Sequence, residues 1–151
     1  MKATLTSKKG KDLIKKYEGF RAKPYLCPAK VPTIGYGATY YPDGRKVKLS
    51  DPAISEAFAT NLLETMLTPY EKAVDSFCRD DINQNQFDAL VSFAYNLGVT
   101  ALKGSTLLKK VNKNPNDKTI RNEFLKWVNA GNKKLQGLVN RRNEESKLYF
   151  S

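Results

Sequence analysis

The sequence predicts an α+β fold in which a small β-rich lobe is enclosed by a mostly helical one. Three observations carry this. The chain has 151 residues and 40% hydrophobic content, enough for one packed core without metals or disulfides. Between Arg21 and Leu49 it turns to Pro, Gly, Tyr, Thr and Val. On both sides of that stretch apolar residues recur at helical spacing. The organisation expected is a single domain over residues 1–151, with a β-rich lobe at about 19–50 and a helical lobe at about 51–151 together with the N-terminal helix.

Ser7 is an expected N-cap, and Leu13, Ile14 and Tyr17 follow on one face, so residues of about 7 to 18 read as a helix that Gly19 ends. Pro24, Pro28, Pro32, Gly35, Gly37 and the Pro42-Asp43-Gly44 turn mark a meander, with strands expected over 33–41 and 45–49. Ser50-Asp51-Pro52 reads as the start of a second helix carrying Ile54, Ala57, Phe58, Leu62 and Thr65, which Pro69 should kink or divide. From 83 to 97, Phe87, Leu90, Val91 and Ala94 fall at i, i+3, i+4 and i+7, and Gly98 supplies the stop. Further helices are expected over 105–111, 116–129 and 138–149.

The composition limits the chemistry. There is no histidine, so Ser-His-Asp and Cys-His pairs, H-E-x-x-H zinc sites and His-ligated metals are excluded, and any catalysis falls to carboxylates, Lys, Tyr, hydroxyls or thiols. Cys27 and Cys78 give neither a metal spacing nor a disulfide framework. No cofactor and no metal are expected. Twenty-six Lys+Arg against 15 Asp+Glu leave a net charge of +11, which suits a polyanionic partner. The charge is spread over pairs such as Lys8-Lys9, Lys109-Lys110 and Lys133-Lys134, whereas a DNA reader concentrates it on one recognition element. The stretch from Met1 to Lys9 is charged without an apolar run behind it, and no segment approaches the roughly 18 apolar residues of a membrane span. The expectation is therefore a protein made in the cytoplasm, without an export signal or stable membrane insertion.

Glu18 closes the first helix, and the irregular stretch after it puts eight residues between Glu18 and Cys27 and five between Cys27 and Thr33. The run from Glu18 to Gly37 resembles the phage-type muramidases, glycoside hydrolase family 24, whose pattern is E, eight residues, D or C, five residues, T. Asn85 to Gly98, Ser105-Thr106-Leu107-Leu108, Trp127 and Gly137 to Arg142 resemble further blocks of that family in order, so the likeness covers nearly the whole chain.

The resemblance implies a lysozyme-like fold, with the active-site cleft between a small β-hairpin lobe and a larger helical lobe. It implies a phage or prophage endolysin that hydrolyses the β-1,4 bond between N-acetylmuramic acid and N-acetylglucosamine, with inversion at the anomeric carbon. Such a bond needs an acid for the leaving oxygen and a second group that orients water or stabilises the oxocarbenium-like transition state. Glu18 is the expected acid, Thr33 holds water, and Cys27 takes the place that Asp holds in most members. A neutral thiol is a poor base, so Cys27 either titrates to a thiolate or only polarises the water; the alternative is a small buried hydrophobe. Cys78 reads as core.

By the same resemblance Thr39, Tyr95 and Thr106 contact sugar, against readings as strand surface, core aromatic and N-cap. Either Arg141 or Arg142 is the arginine that orients the acid. Tyr36, Tyr40 and Tyr41 either stack on sugars or pack. The expected partners are bacterial peptidoglycan and the anionic wall surface, reached as a monomer through a holin-type pore, and not nucleic acid. A lytic transglycosylase on the same bond and a non-catalytic basic nucleic-acid-binding module are the competing readings.

Overall fold

A computed structural model describes residues 3–151; Met1 and Lys2, the start of the charged N-terminal stretch, lie outside them. The elements follow in the order α1 (Lys8–Glu18), β1 (Arg21–Leu26), β2 (Pro32–Gly35), α2 (Glu56–Phe77), α3 (Gln84–Leu97), α4 (Val99–Lys103), α5 (Thr106–Lys113), α6 (Ile120–Phe124), β3 (Asn129–Ala130), β4 (Lys133–Lys134) and α7 (Gln136–Tyr149). They form two compact units. One is Lys15–Thr68; the other joins the residues up to Ile14 with Pro69–Ser151.

In the unit of residues 15–68, β1 and β2 are antiparallel, with Tyr25 opposite Thr33 and Leu26 opposite Pro32. The strand expected over 33–41 stops at Gly35, because Gly35 and Gly37 take positive φ (66° and 90°) and turn the chain so that Ile34 bridges Ala38. The strand expected over 45–49 is reduced to a single bridge, Tyr40 to Lys46. The strand that pairs with β2 is β1, in the stretch read as irregular. The second helix starts later than Asp51. That carboxylate instead accepts from the Lys48 N–H at 2.9 Å and the Tyr41 hydroxyl at 2.7 Å. Ser55 does the capping, its Oγ accepting from the Phe58 N–H at 3.1 Å.

Pro69 lies inside α2 without dividing it into two helices. A proline deletes one i to i−4 bond at a cost of about 3 kcal/mol in an isolated helix, and here it stands where the chain passes from one unit to the other.

The larger unit is organised on α3. Asn83 and Gln86 form a reciprocal capping box, at 2.8 and 2.9 Å, and Gly98 ends the helix at φ 102°. Every residue from Gln86 to Ala94 is buried, so the helix is enclosed on all sides and packs most extensively on α7. Phe93 meets Phe124 and Trp127 edge-on at 5.9 and 5.5 Å. Burying each such ring contributes about 1.5 to 3 kcal/mol. Asp88, wholly buried on α3, accepts from the Ser7 N–H at 3.0 Å, from the Ser7 hydroxyl and from Gln84. Glu71 accepts from the Thr6 N–H and hydroxyl at 2.7 and 2.6 Å. The helix expected over 116–129 is cut to Ile120–Phe124, since the chain leaves it for the β3–β4 hairpin. Cys78 is buried, as read.

Candidate active site

Glu18 is the last residue of α1 and is half-buried. Gly19, at φ 74°, donates its N–H to the Lys15 carbonyl at 2.9 Å and turns the chain into β1 within three residues.

β1 and β2 are joined by a tight turn. The Lys30 N–H closes on the Cys27 carbonyl at 2.7 Å, Pro28 holds the second position, and Lys30 takes φ 63°. Cys27 and Thr33 are thereby brought together at the two ends of the loop. Both are tied to the Val31 carbonyl, which accepts from the Cys27 N–H at 3.1 Å and from the Thr33 hydroxyl at 2.8 Å.

The thiol is held below its ordinary pKa. Its largest cause is a hydrogen bond from the Val31 backbone, and the backbone of Ala29 and the Thr33 hydroxyl add to it against partial desolvation. Cys27 is partly exposed, so the reading as a buried hydrophobe does not hold. Thr33 is 3% exposed.

Tyr25 is the residue that sequence reasoning passed over. It stands opposite Thr33, and its hydroxyl feels the charges of both Glu18 and Cys27. Burial, then those two groups, push its pKa up, against the pull of Arg21. The available signal was Pro28 at the second position of a turn, which sets the register of the flanking segments.

Thr39 is half-buried and lines a hollow of about 220 Å³ with Val31, Tyr40, Gly44 and Lys46. A larger hollow of about 590 Å³, around Tyr41, Arg45, Asp51 and Phe58, includes none of the expected catalytic residues. Tyr36 and Tyr41 pack: both are buried, and their hydroxyls donate to Glu56 at 2.8 Å and Asp51 at 2.7 Å. Burial and the Asp51 carboxylate push Tyr41 up to about 12.

The remaining expected residues belong to the other unit. Tyr95 is half-buried on α3, edge-on to Tyr70 at 5.2 Å. Thr106 is exposed at the start of α5, and the capping is done by Ser105, whose Oγ accepts from the Leu108 N–H at 3.0 Å. Arg141 and Arg142 are both buried beside Glu145, at 3.4 and 3.0 Å. Ser92 donates to Glu145 at 2.5 Å, and Arg142 donates to Asn96 at 2.5 Å. Burial pushes the Glu145 carboxyl up, and the two guanidinium groups pull it back.

A family model described as phage lysozyme matches residues 15–145. The endolysin of Bacillus phage B103 is 44% identical over 147 residues, covering 96% of this chain and 54% of its own length. The endolysin of Salmonella phage P22 is 38% identical over 145 residues, covering 96% and 97%. Among solved structures, the endolysin from Escherichia coli O157:H7 phage FAHEc1 matches with a TM-score of 0.87 at 34% identity, over 100% of this chain and 97% of the other. The chain thus spans about half the length of the B103 relative and nearly all of the P22 one.

Proposed function

The chain belongs to the phage lysozyme family, and on that premise we propose that it is an endolysin-type glycosidase acting on peptidoglycan, whose own residues perform the hydrolysis as follows. Glu18 gives its proton to the glycosidic oxygen between N-acetylmuramic acid and N-acetylglucosamine as the bond to the anomeric carbon breaks. Thr33 holds the water that attacks the opposite face of that carbon, and Cys27 takes or polarises the water's proton in the role of a carboxylate. The product is inverted. The observation that supports this reading is the β1–β2 loop, which gathers Cys27 and Thr33 around one carbonyl and lowers the thiol.

Residues 1–151 act as one muramidase domain in this reading. Thr39 contributes to sugar binding through the hollow it lines; for Tyr95, Thr106, Arg141 and Arg142 the support is the family resemblance. Diffuse positive charge brings the monomer to the anionic wall rather than to nucleic acid. Among the described residues no helix is long and apolar enough to cross a membrane, and passage to the wall through a holin-type pore is part of the proposal.

The test is clearing of purified walls by the protein beside its Glu18→Gln form. Loss by orders of magnitude with the fold intact is expected, and reducing ends rather than anhydromuramic ends in the products separate hydrolysis from transglycosylation. A well-folded Glu18→Gln protein with near-normal lysis overturns the reading.

A further inference from the structure

The register of the hairpin holds an irregularity with a specific effect. Arg21 pairs with Gly35 and Tyr25 with Thr33, so three residues of β1 stand against one of β2. In a regular strand, positions i and i+4 are about 13 Å apart. Their partners here are two positions apart, a span of about 7 Å. The extra residues are pushed out of the ladder. Pro24 has no N–H to place in it, and the Ala22 carbonyl accepts from the Ile54 N–H at 2.9 Å. The contraction brings the Arg21 guanidinium over the Tyr25 ring, 4.3 Å from its centroid.

Tyr25 lies directly across from Thr33, so the two side chains leave the hairpin on one face. We propose that Tyr25 is a further catalytic residue of the reaction, its hydroxyl donating to the sugar at the bond being cleaved, and that Arg21 is a positioning residue that clamps the ring carrying it. Burial, against the pull of Arg21 and with the charges of Glu18 and Cys27, raises that hydroxyl's pKa, which suits a donor. The ring is half-buried and the arginine above it is exposed, so the pair forms a wall of the site rather than part of the core. The bulge therefore serves to re-aim two side chains that a straight strand would hold apart. This inference rests on the assignment of Glu18 and Cys27 to the same reaction.

The experiment compares Tyr25→Phe, Tyr25→Leu, Arg21→Gln and the double Arg21→Gln/Tyr25→Leu on a soluble glycan, with Glu18→Gln alongside. Tyr25→Phe keeps the ring, its stack and its volume, so the unfolding midpoint should stay unchanged while kcat falls about tenfold and KM stays within about twofold. Arg21→Gln should lower kcat in the Tyr25 background and add no further loss in the Tyr25→Leu background, because it acts through the ring. If Tyr25→Leu does not fold, Tyr25→Phe alone decides. Wild-type kcat in Tyr25→Phe, or an equal loss from Arg21→Gln in both backgrounds, overturns the inference. An active Glu18→Gln protein would instead sink the reading on which it rests, so the two failures are distinct.

Discussion

The Thr33 hydroxyl has one proton and two acceptors within reach, the Val31 carbonyl at 2.8 Å and the Cys27 sulfur. With Cys27 as a thiol the hydroxyl donates to the carbonyl; with Cys27 as a thiolate it donates better to sulfur, and part of the lowered pKa comes from that switch. Thr33→Val should therefore raise the pH at which Cys27 becomes reactive, and Thr33→Ser should not. The rate of Cys27 alkylation against pH measures this. An unshifted profile in Thr33→Val would detach Thr33 from the thiol.

Cys27 is partly exposed and Cys78 is buried, so a small alkylating reagent should modify Cys27 first and abolish lysis. Cys27→Asp should remain active, since it supplies a carboxylate at the position where the proposed reaction uses the thiol. Its activity should also persist to lower pH. A thiolate forms only as pH rises through the lowered Cys27 value, which places the acid limb of the wild-type profile above that of an aspartate. Coincident acid limbs in the two proteins would show that Cys27 does not titrate in the reaction.

Salt provides a third measurement. If the +11 charge raises encounter with an anionic wall, lysis of intact walls should fall steeply as salt is added, while cleavage of a short uncharged glycan falls much less. Parallel declines on both substrates would remove steering as the reason for the charge.

Gly10 offers a test of the N-terminal packing. A Cβ there would stand 2.7 Å from Thr6 Cγ2 and 2.8 Å from Asp88 Cβ. Alanine is favoured over glycine in a helix by about 1 kcal/mol, but forced overpacking costs about 1 to 3 kcal/mol, so Gly10→Ala should lose stability in denaturant melts. A gain would mean that the segment from Thr6 to Gly10 shifts freely.

Much of the helical framework was legible because its signals are local. Asn83 with Gln86, Ser105, Gly19 and Gly98 mark ends by side-chain chemistry or positive φ, and the Phe87 to Ala94 periodicity marks a buried helix. What was missed depends on distant partners. Arg21–Leu26 contains Pro24 and alternates only over its first four residues, and it is a strand only because Pro32–Gly35 lies beside it. Trp127 and Val128 continue a helical period beyond Phe124, yet the β3–β4 hairpin takes the chain away. In the proposed site, the spacing of Glu18, Cys27 and Thr33 is what the sequence offers, and the structure adds that Cys27 and Thr33 share the Val31 carbonyl. Tyr25 is not legible there, because its place opposite Thr33 follows from a bulge that residue types alone do not announce.

The larger unit is sequence-discontinuous: it needs the residues before Lys15 as well as those after Thr68, and its links from Thr6 to Glu71 and from Ser7 to Asp88 close loops of 65 and 81 positions. During synthesis, residues 15–68 leave the ribosome as one uninterrupted block, whereas Thr6 and Ser7 must wait for α2 and α3 before Glu71 and Asp88 can receive them. Trimming the chain back past Ser7 would accordingly injure the unit that contains the C-terminal helix, at the far end of the sequence, before it touched the hairpin that follows directly.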